Sequence, residues 1–143
     1  MKIIVDNTIT APIEKVWEYY TDPKHITNWN FANEDWHCPV SENNLEVGGK
    51  MLSRMEAKDG SFSFDFEATY GEVILNKKLA YTIHDGRKVE ILFTDKGKET
   101  KILIEFDAEE QSSIEQQQGG WQAILNNFKN YTENNNINAN WKT

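Results

Sequence analysis

At 143 residues the chain has the length of one domain that buries about two-thirds of its unfolded surface, and its formal charge of −8 argues against a nucleic-acid backbone or an anionic membrane surface as partner. Cys38 is the single cysteine, which excludes an internal disulfide and fits a reducing compartment. No apolar run approaches the ~20 residues of a membrane helix, and the run at residues 3–5 is too short for a secretion signal, so a cytoplasmic protein without membrane insertion is expected.

In chain order, residues 2–10 alternate loosely (Ile3, Val5, Ile9) and predict a first strand. A helix follows, with Thr10 or Ala11 as its cap and Pro12 at its first position, where a missing N–H costs nothing. Ile13, Val16, Trp17 and Tyr20 then recur at helical spacing until Asp22-Pro23 stops the helix. Residues 24–29 predict one more short helix. Residues 30–44 are mixed and polar and read as a long loop, with room for a short strand around residues 36–40.

The meander that follows carries the strongest pattern. Residues 45–57 predict a strand interrupted at Gly48-Gly49, and Asp59-Gly60 predicts a tight hairpin turn. Residues 61–70 alternate without a fault, setting Phe62, Phe64, Phe66, Ala68 and Tyr70 against Ser, Asp, Glu and Thr. Leu79, Tyr81 and Ile83 mark the next strand, then Val89, Ile91 and Phe93, then Ile102, Ile104 and Phe106, each pair separated by a short Gly-containing turn.

Residues 114–133 complete the pattern as one long helix. At 100° per residue, Ile114, Trp121, Ile124, Leu125, Phe128 and Tyr131 fall in a stripe about 120° wide, with Asn126, Asn127, Lys129 and Asn130 opposite. Such a stripe must bury itself, and the meander offers the matching apolar face. The predicted architecture is α+β: a curved antiparallel sheet of six to seven strands wrapped around a long C-terminal helix, with two short helices after the first strand. Residues 1–133 are expected to form a single domain, followed by an Asn-rich polar tail at 134–143 that holds Trp141.

Several segments carry a resemblance. Ala11-Pro12-Ile13-Glu14-Lys15-Val16-Trp17, then Thr21-Asp22-Pro23-Lys24-His25-Ile26 with Trp29, then Leu45-Glu46-Val47-Gly48-Gly49-Lys50, Asp59-Gly60-Ser61 and Gly119-Gly120-Trp121 occur in the order found in one group of proteins. The chain resembles the bacterial branch of the START/Bet v 1-like (SRPBCC) superfamily, in the group related to the activator of Hsp90 ATPase domain. The resemblance implies a helix-grip fold with a hydrophobic cavity. It also implies a choice of roles: binding lipids, sterols or polyketides, cyclising aromatic polyketides, or assisting a chaperone of the Hsp90 type.

The expected function is therefore binding of a small hydrophobic molecule between sheet and last helix, as carrier or sensor. Phe64, Phe66, Tyr70, Met55 and Trp121 are expected to line the chamber, facing Leu125 and joined by Phe93, with Trp29, Phe31 and Trp36 at its mouth. Met51 and Met55 suit a surface that adapts to variable apolar shapes. Ser53, Tyr70 and Tyr81 fall on the inward alternation and are candidates for the few polar contacts.

No catalytic residue, metal ligand or cofactor is assigned. His25, His37 and His84 are scattered with no two at ligand spacing, His25 and His84 read as exposed polar residues, Cys38 reads as a buried inert thiol, and Asp65 and Glu67 point outward as solvated charges. An enzyme of the polyketide-cyclase kind would need an acid or base inside the chamber, where the inward positions are almost all apolar. A chaperone partner rests on the family name alone.

Overall fold

The computed structural model describes residues 1–135, so the predicted tail beyond that point, with Trp141, lies outside the described residues. Seven strands form one antiparallel sheet: β1 (Lys2–Ile9), β2 (Trp36–Asn43), β3 (Lys50–Ala57), β4 (Ser63–Ile74), β5 (Lys78–Ile83), β6 (Lys88–Asp95) and β7 (Thr100–Asp107). Their spatial order is β1-β7-β6-β5-β4-β3-β2, so the meander runs unbroken across the sheet and only β1 is carried to the far edge. Helices α1 (Ile13–Thr21) and α2 (Pro23–Ile26) make that connection, and α3 (Ile114–Asn135) closes the concave face.

The inward alternation of β5, β6, β7 and β1 is buried throughout, from Leu79, Ile91 and Ile102 to Phe106 and Ile3. Against it packs the stripe of α3, where Leu125 and Phe128 are sealed from solvent. Phe128 meets Trp29 at 4.9 Å and Tyr20 at 5.1 Å, both edge to face. Ile114, the first member of the predicted stripe, lies beyond this contact and is exposed. Lys15 is the charged exception: it is fully buried, with Nζ 5.1 Å from the centre of the Tyr19 ring.

Local chemistry sets the start of α3. Ser113 Oγ accepts from the Gln116 N–H at 3.0 Å, and Gln116 Oε1 accepts from the Ser113 N–H at 3.3 Å, a reciprocal capping box. The predicted polar side of the helix has more to do than face water. Gln118, Gln122 and Lys129 donate to the carbonyls of Ile4, Asp6 and Thr8, the outward row of edge strand β1. An edge strand with unpaired carbonyls invites pairing with another chain, and α3 satisfies this row with side chains.

Three local expectations are corrected. Pro12, not Thr10 or Ala11, occupies the cap position of α1, and no side chain caps it. Strand β3 starts at Lys50, because Gly48 takes φ +82° and the segment before it turns. The segment 30–44 is largely strand: β2 spans eight residues and pairs with β3 from Trp36↔Ala57 to Asn43↔Met51, with a register shift between His37 and Val40. Pro39 sits inside that shift on the sheet's edge, where the missing N–H breaks no ladder.

Candidate functional site

Towards β2, β3 and β4 the packing opens into a cavity of about 270 Å³. The sheet builds its floor by alternation. Met51, Ser53 and Met55 come from β3, Phe64, Phe66 and Tyr70 from β4, and Leu79 and Tyr81 from β5. Register sets Ser53 opposite Phe66, Met55 opposite Phe64 and Tyr70 opposite Tyr81. Trp121, Ile124 and Leu125 of α3 form the roof, and Tyr20 with the segment after α2 closes one end.

Trp121 is set by stacking flat on Phe106 at 4.1 Å, which leaves its other face towards Phe66, with ring centres 6.3 Å apart. Trp29 is fixed at both ends: its indole N–H donates to the Tyr19 carbonyl at 3.0 Å, and its own carbonyl accepts from Asn127 at 2.8 Å. These side chains are held by the protein itself, so the chamber is largely pre-formed.

The polar inventory is short. Tyr70 donates to Asn43 Oδ1 at 2.7 Å, and Asn43 Nδ2 donates to the Thr21 carbonyl at 2.7 Å, which fixes the amide's orientation. The Gly48-Gly49 turn holds both partners in place. Gly48 N–H donates to the Tyr70 carbonyl and Tyr70 N–H to the Gly49 carbonyl, each at 2.9 Å, and a Cβ on Gly49 would stand 2.1 Å from the Asn44 carbonyl oxygen. Ser53 and Ser41 hydroxyls lie 3.3 Å apart. Asn30 Nδ2 points at the Met55 sulfur, at 3.7 Å.

Burial pushes the phenols of Tyr20, Tyr70 and Tyr81 up, Tyr70 to about 12 although its bond to Asn43 pulls the other way. The three hydroxyls also oppose one another's ionisation: Tyr20 feels Tyr70, and Tyr81 feels both. All three are hydrogen-bonding groups at neutral pH. Among the described residues Arg87 is the one charged side chain of the lining, and its Nε donates to Asp85 at 2.8 Å. Among the described residues no carboxylate, imidazole or ammonium lines the chamber.

Ten of the side chains expected from the sequence therefore meet at this cavity: Trp29, Met51, Ser53, Met55, Phe64, Phe66, Tyr70, Tyr81, Trp121 and Leu125. Phe31, Trp36 and Phe93 do not line it. Trp36 packs outside, with its ring centre 6.2 Å from Phe64 and 6.0 Å from Phe62. Phe93 lies deeper in the core against Trp17, at 5.1 Å, and Phe31 is half-buried beside α3, its carbonyl accepting from Asn127. The aromatic ladder of β4 is also graded: Tyr70 is buried, but Phe64 is 42% and Phe62 is 59% exposed.

Tyr20, Asn30, Asn43 and Arg87 are the polar lining residues that the sequence reading missed. Tyr20 was legible as the last member of the α1 stripe. Asn43 was hidden because its strand read as loop; once β2 is a strand, Ser41 and Asn43 alternate inward together. His25 is corrected as well. It is not a surface residue: its side chain is 14% exposed, its ring stacks on Tyr19 at 3.8 Å, and Nδ1 shares a 2.8 Å hydrogen bond with the Tyr131 hydroxyl. Cys38 is buried, and burial pushes its thiol up, away from the reactive thiolate. His37 lies 3.3 Å from Glu56 on the outer face, and His84 is exposed. Among the described residues no group of three or more His, Cys, Asp or Glu side chains is placed to hold a metal ion, and no helix is long and apolar enough to cross a membrane.

A curled antiparallel sheet closed by one long C-terminal helix, with a chamber between them, defines a helix-grip protein. The chain belongs to the family described as Activator of Hsp90 ATPase homolog 1-like protein, which matches residues 10–133. It is similar to the solved structure of an AHSA1-like protein from Aeromonas hydrophila, with 42% identity over 96% of this chain and 95% of that one and a TM-score of 0.89. A solved protein from Cytophaga hutchinsonii is 52% identical over the same shares, with a TM-score of 0.81. One from Chromobacterium violaceum is 21% identical over 92% of this chain and 96% of that one, at TM-score 0.83, a likeness of fold. No match was found among curated proteins.

Proposed function

We propose that residues 1–133 act as one binding unit, a cytoplasmic carrier or sensor that takes a small hydrophobic molecule between the sheet and α3. The observation that carries this reading is the gap itself: about 270 Å³ bounded mostly by apolar and aromatic side chains, beside a core whose inward side chains are sealed from solvent. Protein interiors rarely leave voids larger than a water molecule, so a pre-formed chamber of this size asks for an occupant. Transfer of apolar surface from water supplies the affinity, at about 25 cal/mol per Å². Met51 and Met55 let the floor adapt, and the few hydroxyls set orientation.

Equilibrium dialysis against isopropylnaphthalene tests the reading, with an Ile124→Trp variant that fills the chamber from the helix side as the comparison. Saturable one-to-one binding is expected, reduced at least about tenfold in a variant that still unfolds cooperatively. Binding that is absent, or equally strong with the chamber filled, would refute the proposal.

A further inference from the structure

Most polar side chains around the chamber are already committed to the protein. Tyr70 spends its proton on Asn43, Asn43 spends its amide on Thr21, and Trp29 spends its indole N–H on Tyr19. Two groups stand apart. Among the described residues neither the Tyr20 hydroxyl nor the Tyr81 hydroxyl has a hydrogen-bond partner, although Tyr81 is only 8% exposed. Nor is either hydroxyl sealed in the packing. Among the described residues the one sealed side-chain oxygen or nitrogen without a partner is Thr132 Oγ1, whereas Tyr20 and Tyr81 both line the cavity. A ligand oxygen placed against either hydroxyl meets a donor that no protein group already holds. The chamber thus presents two free O–H donors, with the Tyr70 oxygen, its own proton committed, beside them as an acceptor.

The same wall discriminates by charge. An entering carboxylate loses its hydration, and the only cation that the described residues place on the lining, Arg87, is held by Asp85. An entering ammonium finds no carboxylate on the lining among the described residues. Size discriminates too: an apolar cavity of ~150 Å³ holds one benzene ring, so about 270 Å³ has room for a pair of fused rings with a short substituent and too little for a sterol or a two-chain lipid.

Resting on the carrier reading, we propose that the ligand is an uncharged molecule of about two rings whose oxygen acceptor, typically a carbonyl, is gripped by the hydroxyls of Tyr20 and Tyr81. Three probes with equal numbers of non-hydrogen atoms separate the terms: methyl naphthyl ketone, isopropylnaphthalene and naphthoate. In equilibrium dialysis the ketone is expected to bind about tenfold tighter than the hydrocarbon, and naphthoate weakest of the three. In a Tyr20→Phe/Tyr81→Phe variant the ketone-to-hydrocarbon ratio falls to within about twofold. Each substitution removes only an unpaired hydroxyl, so the fold is retained, and Tyr81→Phe alone moves the ratio part of the way if the double variant is poorly behaved. Equal affinities for ketone and hydrocarbon, or a ratio that survives loss of both hydroxyls, would overturn the proposal while leaving the carrier reading intact. Naphthoate as the tightest probe would also overturn it and would point to Arg87. If none of the three binds, both readings fall together.

Discussion

Strands β5, β6, β7 and β1 bury every inward apolar side chain they carry, whereas β3 and β4, built on the same alternation, leave Phe64 exposed and Phe66 only partly covered. Strand pattern does not cause the difference, since both halves alternate cleanly. Coverage does: α3 runs along β1 and ties itself to that strand's carbonyls through Gln118, Gln122 and Lys129, and α1 meets β6. A single helix of 22 residues spans about 33 Å in length but only about 10 Å in width, so one helix cannot roof a seven-stranded sheet. The uncovered strip between helix and β2 edge becomes the chamber.

The largest test of that contrast is at Phe128, fully buried between Trp29 and Tyr20. Phe128→Ala removes a ring from the filled half, where the surroundings cannot collapse, and should cost about 3–5 kcal/mol in denaturant unfolding. A loss below about 1 kcal/mol would mean that this half is as loosely packed as the other.

A smaller effect distinguishes the halves by pH. In the filled region His25 lies between Tyr19 and Tyr131, and burial lowers its pKa from the ordinary 6.5; Asp22 and Glu18 pull it up, while Lys24 and Lys15 add to the lowering. Between the lowered folded value and 6.5 the unfolded chain binds more protons than the native one, so stability rises with pH across that window. The contribution is complete above 6.5 and is lost as the pH falls through the folded value. Neutral His25 also means that the 4.0 Å approach of its Nε2 to Glu18 is no ion pair at neutral pH. His25→Gln should flatten the stability profile in this window, measured against His84→Gln at an exposed turn. The same slope in both variants would place the pH sensitivity elsewhere.

These contrasts mark what the chain discloses by itself. Strands β4 to β7 and helix α3 were legible because their periods, two and 3.6, are carried by large apolar residues between short polar turns. Strand β2 was not: Pro39 and the bulge beside it break its alternation, and with it went Asn43, the partner of Tyr70. Polar residues were misjudged in the same way. A histidine on a short helix that opens with proline reads as surface, and only the fold brings Tyr131, 106 residues later, to His25. Candidate lining residues on β3, β4 and α3 followed from alternation, whereas Phe93 alternates identically on β6 and is simply covered by Trp17 and Tyr20. Period tells which face a side chain takes. How far along the sheet the helix reaches is a tertiary fact.

The smallest expected stability change is at Phe64. It is as large as Phe128 and sits on an equally regular strand, but its ring is 42% exposed and meets Trp36 and Phe62 at 6.2 and 5.9 Å on the open side. Phe64→Ala removes little surface that folding had hidden, and the space it vacates joins a chamber that already exists, so no new sealed void is created. A loss under about 1 kcal/mol is expected by denaturant unfolding, against several for Phe128→Ala. The same variant should weaken isopropylnaphthalene binding in dialysis, because it strips one wall from the chamber. Strong destabilisation at Phe64 would instead make the aromatic cluster with Trp36 and Phe62 a second core, and the distinction between the two halves of the sheet would lose its basis.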